Sequence, residues 1–166
     1  AAMILGPEKE IFDFNVKSTK MLVDAAIKKK IRKFIFLSSE NVLWAGQSAY
    51  GESKKECEEI VKKIKTSLIL RSCVVYGANN NINLGKIINM VKKNKLLLIP
   101  GNGESLMQPI FVDDVAQYVL NGLKQGVQGI FILAGAEKIT LNNFIDTVSK
   151  VFRVNRVKIH LPMLFI

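Results

Sequence analysis

Tyr50-Gly51-Glu52-Ser53-Lys54 sets a phenol and an ammonium four residues apart at the start of a helix-like stretch. At that spacing both side chains lie on one helical face, in reach of one ligand. A phenol is a poor base near neutrality, because its ordinary pKa is about 10. A neighbouring cation favours the phenolate and lowers that value. The pair therefore suits proton transfer in an alcohol–ketone interconversion, and a lysine can also donate hydrogen bonds to ribose hydroxyls. Tyr-x-x-x-Lys occurs by chance in many helices, so a surface pair is the default for the motif in isolation. Its surroundings change that. Ser38-Ser39 closes the apolar run Phe34-Ile35-Phe36-Leu37 just upstream. Ligands of open α/β sheets bind beyond the carboxyl ends of strands, where a serine can hydrogen-bond a carbonyl oxygen. Two serines without such neighbours would read as an ordinary turn.

The elements that must position these groups alternate as in a parallel α/β fold. Pro7 suits the first turn of a helix reaching about Lys30, with Ile11, Phe14, Met21, Leu22, Ala25 and Ala26 as its buried side. Phe34–Leu37 and Ser67–Leu70 read as strands buried on both faces. Between them a helix from about Tyr50 to Lys65 turns Cys57, Ile60, Val61 and Ile64 inward. A third helix stripes Leu84, Ile87, Ile88 and Val91. Leu96–Ile99 and Pro109–Val112 read as strands separated by the Gly101-Asn102-Gly103 turn, and Gly129–Leu133 and Val157–Ile159 as two more. Asp113 or Asp114 is expected to cap a helix carrying Val115, Ala116, Val119, Leu120 and Leu123. Thr140 is expected to cap another, carrying Leu141, Phe144, Ile145, Val148 and Val151.

The 166 residues suffice for a sizeable core, and 49% hydrophobic with 23% charged residues is ordinary for a soluble globular chain. Two cysteines, Cys57 and Cys73, are too few for a disulfide framework, so a reduced, cytoplasmic setting is the expectation. The net charge of +10 comes from lysines spaced as on helix surfaces, without arginine-rich stretches interleaved with aromatics. Solvated faces are the default explanation, with attraction to an anionic substrate, or to a polymer or membrane, as the alternatives; no nucleic-acid partner is expected. No apolar run reaches the roughly 18 residues of a membrane span. One histidine, His160, and two distant cysteines make no metal set, so no metal is expected. Trp44, in the loop before Tyr50, reads as loop packing or as a lid contact to substrate. Both ends of the chain read as cut edges: Ala1-Ala2 has no run-up, and Leu161 to Ile166 is an uncapped apolar string.

Five blocks follow in order: Asn15-Val16-x-x-Thr19, Phe34 to Ser39, Tyr50-x-x-x-Lys54, Leu70-Arg71-x-x-x-Val75-Tyr76-Gly77, and Pro109 to Ala116. Together they resemble the extended short-chain dehydrogenase/reductases of the NAD-dependent epimerase/dehydratase type, from Ala1 to about Phe152. The resemblance implies a Rossmann-type doubly wound parallel sheet, without its first strands, and a small C-terminal substrate lobe. The Rossmann side would use roughly 1–74 and 111–134, and the lobe 75–110 and 135–166. It implies NAD or NADP as cofactor and a nucleotide sugar or similar small molecule as substrate, and it allows a homodimer. Tyr50 would be the acid/base, Lys54 its partner and a ribose ligand, Ser39 rather than Ser38 the carbonyl-polarising serine, and Asn15 the organiser of a water relay to the lysine. Ala1, Ala2, Ser72, Cys73, Val74 and Val75 would line the cofactor. Ser39, Glu40, Asn79, Asn83 and Gln108 would face substrate.

Departures from the family pattern narrow the reading. The glycine-rich strand–turn–helix that grips the pyrophosphate precedes Ala1 in this family. Arg71-Ser72 stands where Arg-Pro is common, and the stretch between Ser39 and Tyr50 is short for a sugar-nucleotide member. Dehydratases of the family need adjacent acids where this chain has Glu40 and Asn41. A 4-epimerase or 4-ketoreductase is therefore favoured. The alternative is a non-catalytic relative that uses the fold to bind a nucleotide or a partner protein. The 166 residues alone are expected to be inactive.

Overall fold

The computed structural model describes residues 2–44, 46, 48–78 and 82–162. In chain order the elements are α1 (Glu8–Lys28), β1 (Phe34–Ser39), a 3-10 turn (Glu40–Trp44), α2 (Ala49–Val61), β2 (Ser67–Ser72), β3 (Val75–Tyr76), α3 (Leu84–Lys93), β4 (Leu96–Pro100), β5 (Leu106–Met107), β6 (Ile110–Phe111), α4 (Val112–Gln125), β7 (Gly129–Leu133), β8 (Ile139–Thr140), α5 (Leu141–Val151) and β9 (Val157–Leu161). They form two compact units, one of residues 1–72 and 114–133, the other of residues 73–113 and 134–166.

The first unit is a parallel sheet in the order β1-β2-β7, with Phe34 opposite Ser67 and Leu68 opposite Gly129. Side chains alternate across a strand, so the two faces receive different helices. Phe34, Phe36 and Ile69 pack with Val23 and Ala26 of α1 and Ile60 and Val61 of α2. Ile35 and Leu68 face the other way, toward Gly122 of α4. A methyl group there would stand 2.4 Å from Leu68 Cδ2, so the glycine sets how closely α4 lies on the sheet. Helices on both faces of a parallel sheet make this a doubly wound α/β arrangement.

Several expectations change. The inward face of α1 is Ile11, Asn15, Thr19, Val23 and Ala26. Phe14, Met21 and Leu22 are 50%, 65% and 60% exposed, and Ala25 is exposed too. Ile11 and Ala26 are inward as expected; hydropathy misplaced the other four because two inward residues are polar and satisfied: Asn15 binds Met3 and Ser53, and Thr19 hydrogen-bonds Cys57. β2 is buried from Ser67 to Leu70, but β1 is only half-buried and its Leu37 is exposed, because β2 is the central strand and β1 is hydrogen-bonded on one side. α2 ends at Val61, and the chain tightens into turns through Lys65, with Ile64 N bonded to Val61 O at 2.9 Å. α4 starts at Val112, so Asp113 and Asp114 lie within its first turn, where acids favour the helix dipole, rather than capping it. Only Val115 and Gly122 of α4 are buried; Leu120 and Leu123 are exposed.

In the second unit, β4 pairs in parallel with β9, β3 with β6, and β5 runs antiparallel to β8. The alternating burial of β4 turns Leu97 and Ile99 onto Val91 of α3 and Ile145 and Val148 of α5. Thr140 caps α5 as expected, its hydroxyl accepting from Asn143 N at 3.1 Å. Val151, at the end of that helix, is exposed.

Candidate active site

The first turn of α2 is built to come close. Ser48 caps it by accepting from Gly51 N at 3.1 Å. A methyl group on Gly51 would stand 2.8 Å from the Asn41 carbonyl oxygen, so only glycine lets this turn pack against the 3-10 turn that follows β1. Tyr50 is thereby carried to the end of β1, where the Ser39 hydroxyl hydrogen-bonds its phenol. Ser39 Oγ also receives Asn41 N at 3.3 Å.

One helical turn on, Lys54 is 4% exposed. Its ammonium donates to the Leu37 carbonyl at 2.7 Å and sits 4.1 Å from the centroid of the Phe36 ring. A further turn on, Glu58 is 1% exposed. Its carboxylate accepts from Ser38 Oγ at 2.6 Å and from Arg71 Nε and Nη2 at 2.9 and 2.7 Å.

Burial pushes the Tyr50 phenol above its ordinary value, with the Ser39 hydrogen bond opposing and the Cys57 thiol adding to the rise. The expected lowering by Lys54 is not what this arrangement produces, because the ammonium is turned to Leu37 and Phe36. Burial pulls Lys54 below its ordinary value, opposed by Cys57 and Glu58. Burial likewise raises the Cys57 thiol, against its hydrogen bond to Thr19.

Asn15 is 3% exposed and its amide is fully engaged. Oδ1 accepts from Met3 N at 2.7 Å, while Nδ2 donates to Met3 O and to Ser53 Oγ, both at 3.0 Å. Ser53 in turn donates to the Tyr50 carbonyl at 2.8 Å. Asn15 thus reaches the Tyr50 turn through Ser53.

Glu40 opens the 3-10 turn and is half-buried. Ser72 ends β2 and donates to the Ser38 carbonyl at 3.3 Å. Ala2 is exposed ahead of α1. In the second unit, Cys73 is buried, Val74 O accepts from Ile110 N at 3.0 Å, and Val75 pairs with Ile110. Asn83 precedes α3 with φ 46°, in the left-handed region. Gln108 donates to Gly135 O at 2.6 Å. Ala1 and Asn79 lie outside the described residues. The second unit also holds an apolar cavity of about 570 Å³ lined by Tyr76, Ile88, Pro109, Phe144 and Phe152. Among the described residues, no three His, Cys, Asp or Glu side chains gather around a metal-sized point, and no helix is long and apolar enough to cross a membrane.

Sequence reasoning singled out Tyr50, Lys54, Ser39 and Asn15, which the first unit brings onto β1, α1 and α2. It missed Glu58 and Ser53. The signal for Glu58 was present: a carboxylate continuing the stripe Tyr50, Lys54, Glu58 beside inward-facing Cys57 and Val61.

Comparison with solved structures finds the same fold in several epimerases and reductases. UDP-glucuronic acid 4-epimerase from Bacillus cereus, solved with NAD, is 21% identical with a TM-score of 0.87, over 98% of this chain and 61% of that one. UDP-N-acetylglucosamine 4-epimerase from Methanobrevibacter ruminantium is 21% identical with a TM-score of 0.83, over 98% and 62%. dTDP-4-dehydrorhamnose reductase from Bacillus anthracis, solved with NADP, is 14% identical with a TM-score of 0.83, over 95% and 60%. At these identities the likeness establishes the Rossmann-type fold, and the chain spans about three-fifths of the length of each of these proteins. The family profile matches residues 6–134, from the loop before α1 through the end of β7. By that match the chain belongs to the NAD dependent epimerase/dehydratase family.

Proposed function

We propose that the protein is an NAD(P)-dependent oxidoreductase or epimerase that acts on a hydroxyl or keto group of a nucleotide sugar, as a 4-epimerase or 4-ketoreductase. The observation that carries this reading is the meeting of Ser39, Tyr50 and Lys54 at the carboxyl end of β1. The fold neighbours, solved with NAD, NADP or UDP-sugars, support it. A phenol, a hydroxyl and a buried ammonium on adjoining elements fit the ribose and nicotinamide end of a dinucleotide as a donor set. In this reading the first unit is the dinucleotide-binding side and the second the substrate lobe. Ser72 to Val75 border the cofactor, and Glu40, Asn83 and Gln108 face the substrate. Assembly as a homodimer is compatible with it.

When bound, the nicotinamide supplies the hydride acceptor and donor. The chain's own residues handle the proton. Ser39 orients the sugar oxygen by hydrogen bonding. Tyr50 takes the hydroxyl proton as the carbon is oxidised and returns it on reduction. The phenol sits above its ordinary pKa by burial, so a nearby cation is needed to make it a base; Lys54, one turn on, would supply it only with its ammonium released from the Leu37 carbonyl and the Phe36 ring. Ser53 and Asn15 hold the turn that carries Tyr50.

The test is a panel of UDP- and dTDP-hexoses offered to the full-length protein with NAD or NADP, products being read by mass spectrometry and by sugar configuration. Inversion at C4, or reduction of a 4-keto sugar, supports the reading. Binding of dinucleotide without turnover of any sugar replaces it with that of a non-catalytic relative.

A further inference from the structure

Three residues spaced four apart on α2 engage three consecutive residues of β1. Tyr50 meets Ser39, Lys54 meets the Leu37 carbonyl, and Glu58 meets the Ser38 hydroxyl. Ser38 and Ser39 thus divide their duties: Ser38 is bonded to the buried carboxylate while Ser39 stays at the phenol. Ser38 is 4% exposed and its partner Glu58 is 1% exposed. The same carboxylate holds Arg71, which lies directly across the β1–β2 ladder from Ser38. One buried anion therefore clamps two strands and a helix one residue below the proposed reacting group. A bidentate guanidinium–carboxylate pair fixes orientation as well as distance.

We propose that Glu58, acting through Ser38 and Arg71, is a positioning residue that sets Ser39 and Tyr50 in register for proton transfer. The inference rests on the function proposed above, because it gives a purpose to the alignment of those two groups. Glu58 touches neither of them. Its buried carboxylate accepts three donors on two strands, more than helix packing requires, and they converge on the strand end that bears Ser39. A buried ion pair is a weak source of net stability against apolar replacement, so a role in geometry explains its place better than a role in holding the fold together.

The test uses the full-length protein and reads Tyr50 itself. The Tyr50 phenol is titrated by ultraviolet absorbance in rapid pH jumps, with the Tyr50→Phe spectrum subtracted in each background. The groups bearing on it are Ser39 on β1 and Cys57 on α2, with the charged Lys54 and Glu58 further along the same helix and Arg71 held by Glu58 on β2. Ser38→Ala removes one hydroxyl and leaves every one of those charges in place. Because the Ser39 hydrogen bond lowers the phenol pKa, loosening that register should make Tyr50 in Ser38→Ala titrate about half a pH unit higher or more. Ser38→Thr should restore it. With the sugar turned over best in the panel above, kcat should fall roughly tenfold while the KM for the dinucleotide holds. A phenol titration unmoved in Ser38→Ala, even with a lowered Tm, overturns the proposal and leaves the network as a brace. If Tyr50→Phe keeps its turnover, the proposed function fails instead, and the titration still decides the positioning.

Discussion

Arg71 grips Glu58 with two nitrogens, at 2.9 Å from Nε and 2.7 Å from Nη2, and the carboxylate it grips is almost wholly buried. The guanidinium is itself only 19% exposed, so each charge depends on the other. Removing one partner strands the second in a poorly solvated place. Glu58→Ala should cost about 3 kcal/mol of stability in the full-length protein, measured by urea unfolding. Glu58→Leu combined with Arg71→Met should recover most of that. A single variant as stable as the parent would show that water reaches the pair freely.

Tyr50→Phe keeps the ring and removes the hydroxyl. Dinucleotide affinity should survive, while turnover falls by ~10²–10⁴-fold, as for loss of a general acid/base. Steady-state kinetics with cofactor titration decide it. The same variant carries a stability signature. The phenol is raised above 10.0 in the fold, so its contribution is complete below pH 10 and is lost as pH climbs from there through the higher folded value. Tyr50→Phe should therefore show a shallower loss of Tm on the alkaline side.

Lys54→Met should separate function from stability. Burial lowers the lysine's pKa, so the charged form is disfavoured in the folded state at neutral pH, and that penalty fades only as pH rises through the folded value. Methionine matches the stem without the charge. Tm at pH 7 should rise or hold, while both turnover and dinucleotide affinity drop. A clear fall in Tm would mean that the bond to the Leu37 carbonyl outweighs the cost of burial.

Asn41 stands beside Ser39, its backbone N–H bonded to the serine hydroxyl, where a dehydratase would need a second acid. The full-length protein should release no 4-keto-6-deoxy sugar from dTDP-glucose or UDP-glucose. Mass spectrometry of the product mixture would reveal one at once.

Gly135 faces the backbone of Pro109 so closely that a methyl group would lie 1.9 Å from the Pro109 carbonyl oxygen. Backbone cannot rotate away as a side chain can. Gly135→Ala should destabilise by about 3 kcal/mol or more and release Gln108 from the Gly135 carbonyl. Gly122→Ala meets side chains rather than backbone, Leu68 Cδ2 at 2.4 Å and Ile35 Cδ1 at 3.9 Å, and should cost less. Paired thermal melts rank the two.

Local chemistry is written in order along the chain, and it was legible there. Tyr50 and Lys54 share a helix face because the α-helical period requires it, and the apolar run leading into Ser38-Ser39 reads as a strand because it is short, continuous and apolar. Thr140 and Pro7 marked helix starts for reasons confined to a few residues. Which face of α1 goes inward was not legible, because Asn15 and Thr19 are buried by partners far away in sequence, Ser53 and Cys57. The direction of the Tyr50 shift also depended on packing, since desolvation outweighed a cation whose ammonium is spent on Leu37 and Phe36. The role of Glu58 follows from β1 and β2 bringing Ser38 and Arg71 to it, partners that lie far from it along the chain. The sequence by itself determined the residue types of the candidate site and their helical and strand register, which follow from backbone periodicity. Only the tertiary structure decided which polar groups were buried and paired, because burial depends on residues that meet across the fold rather than along the chain.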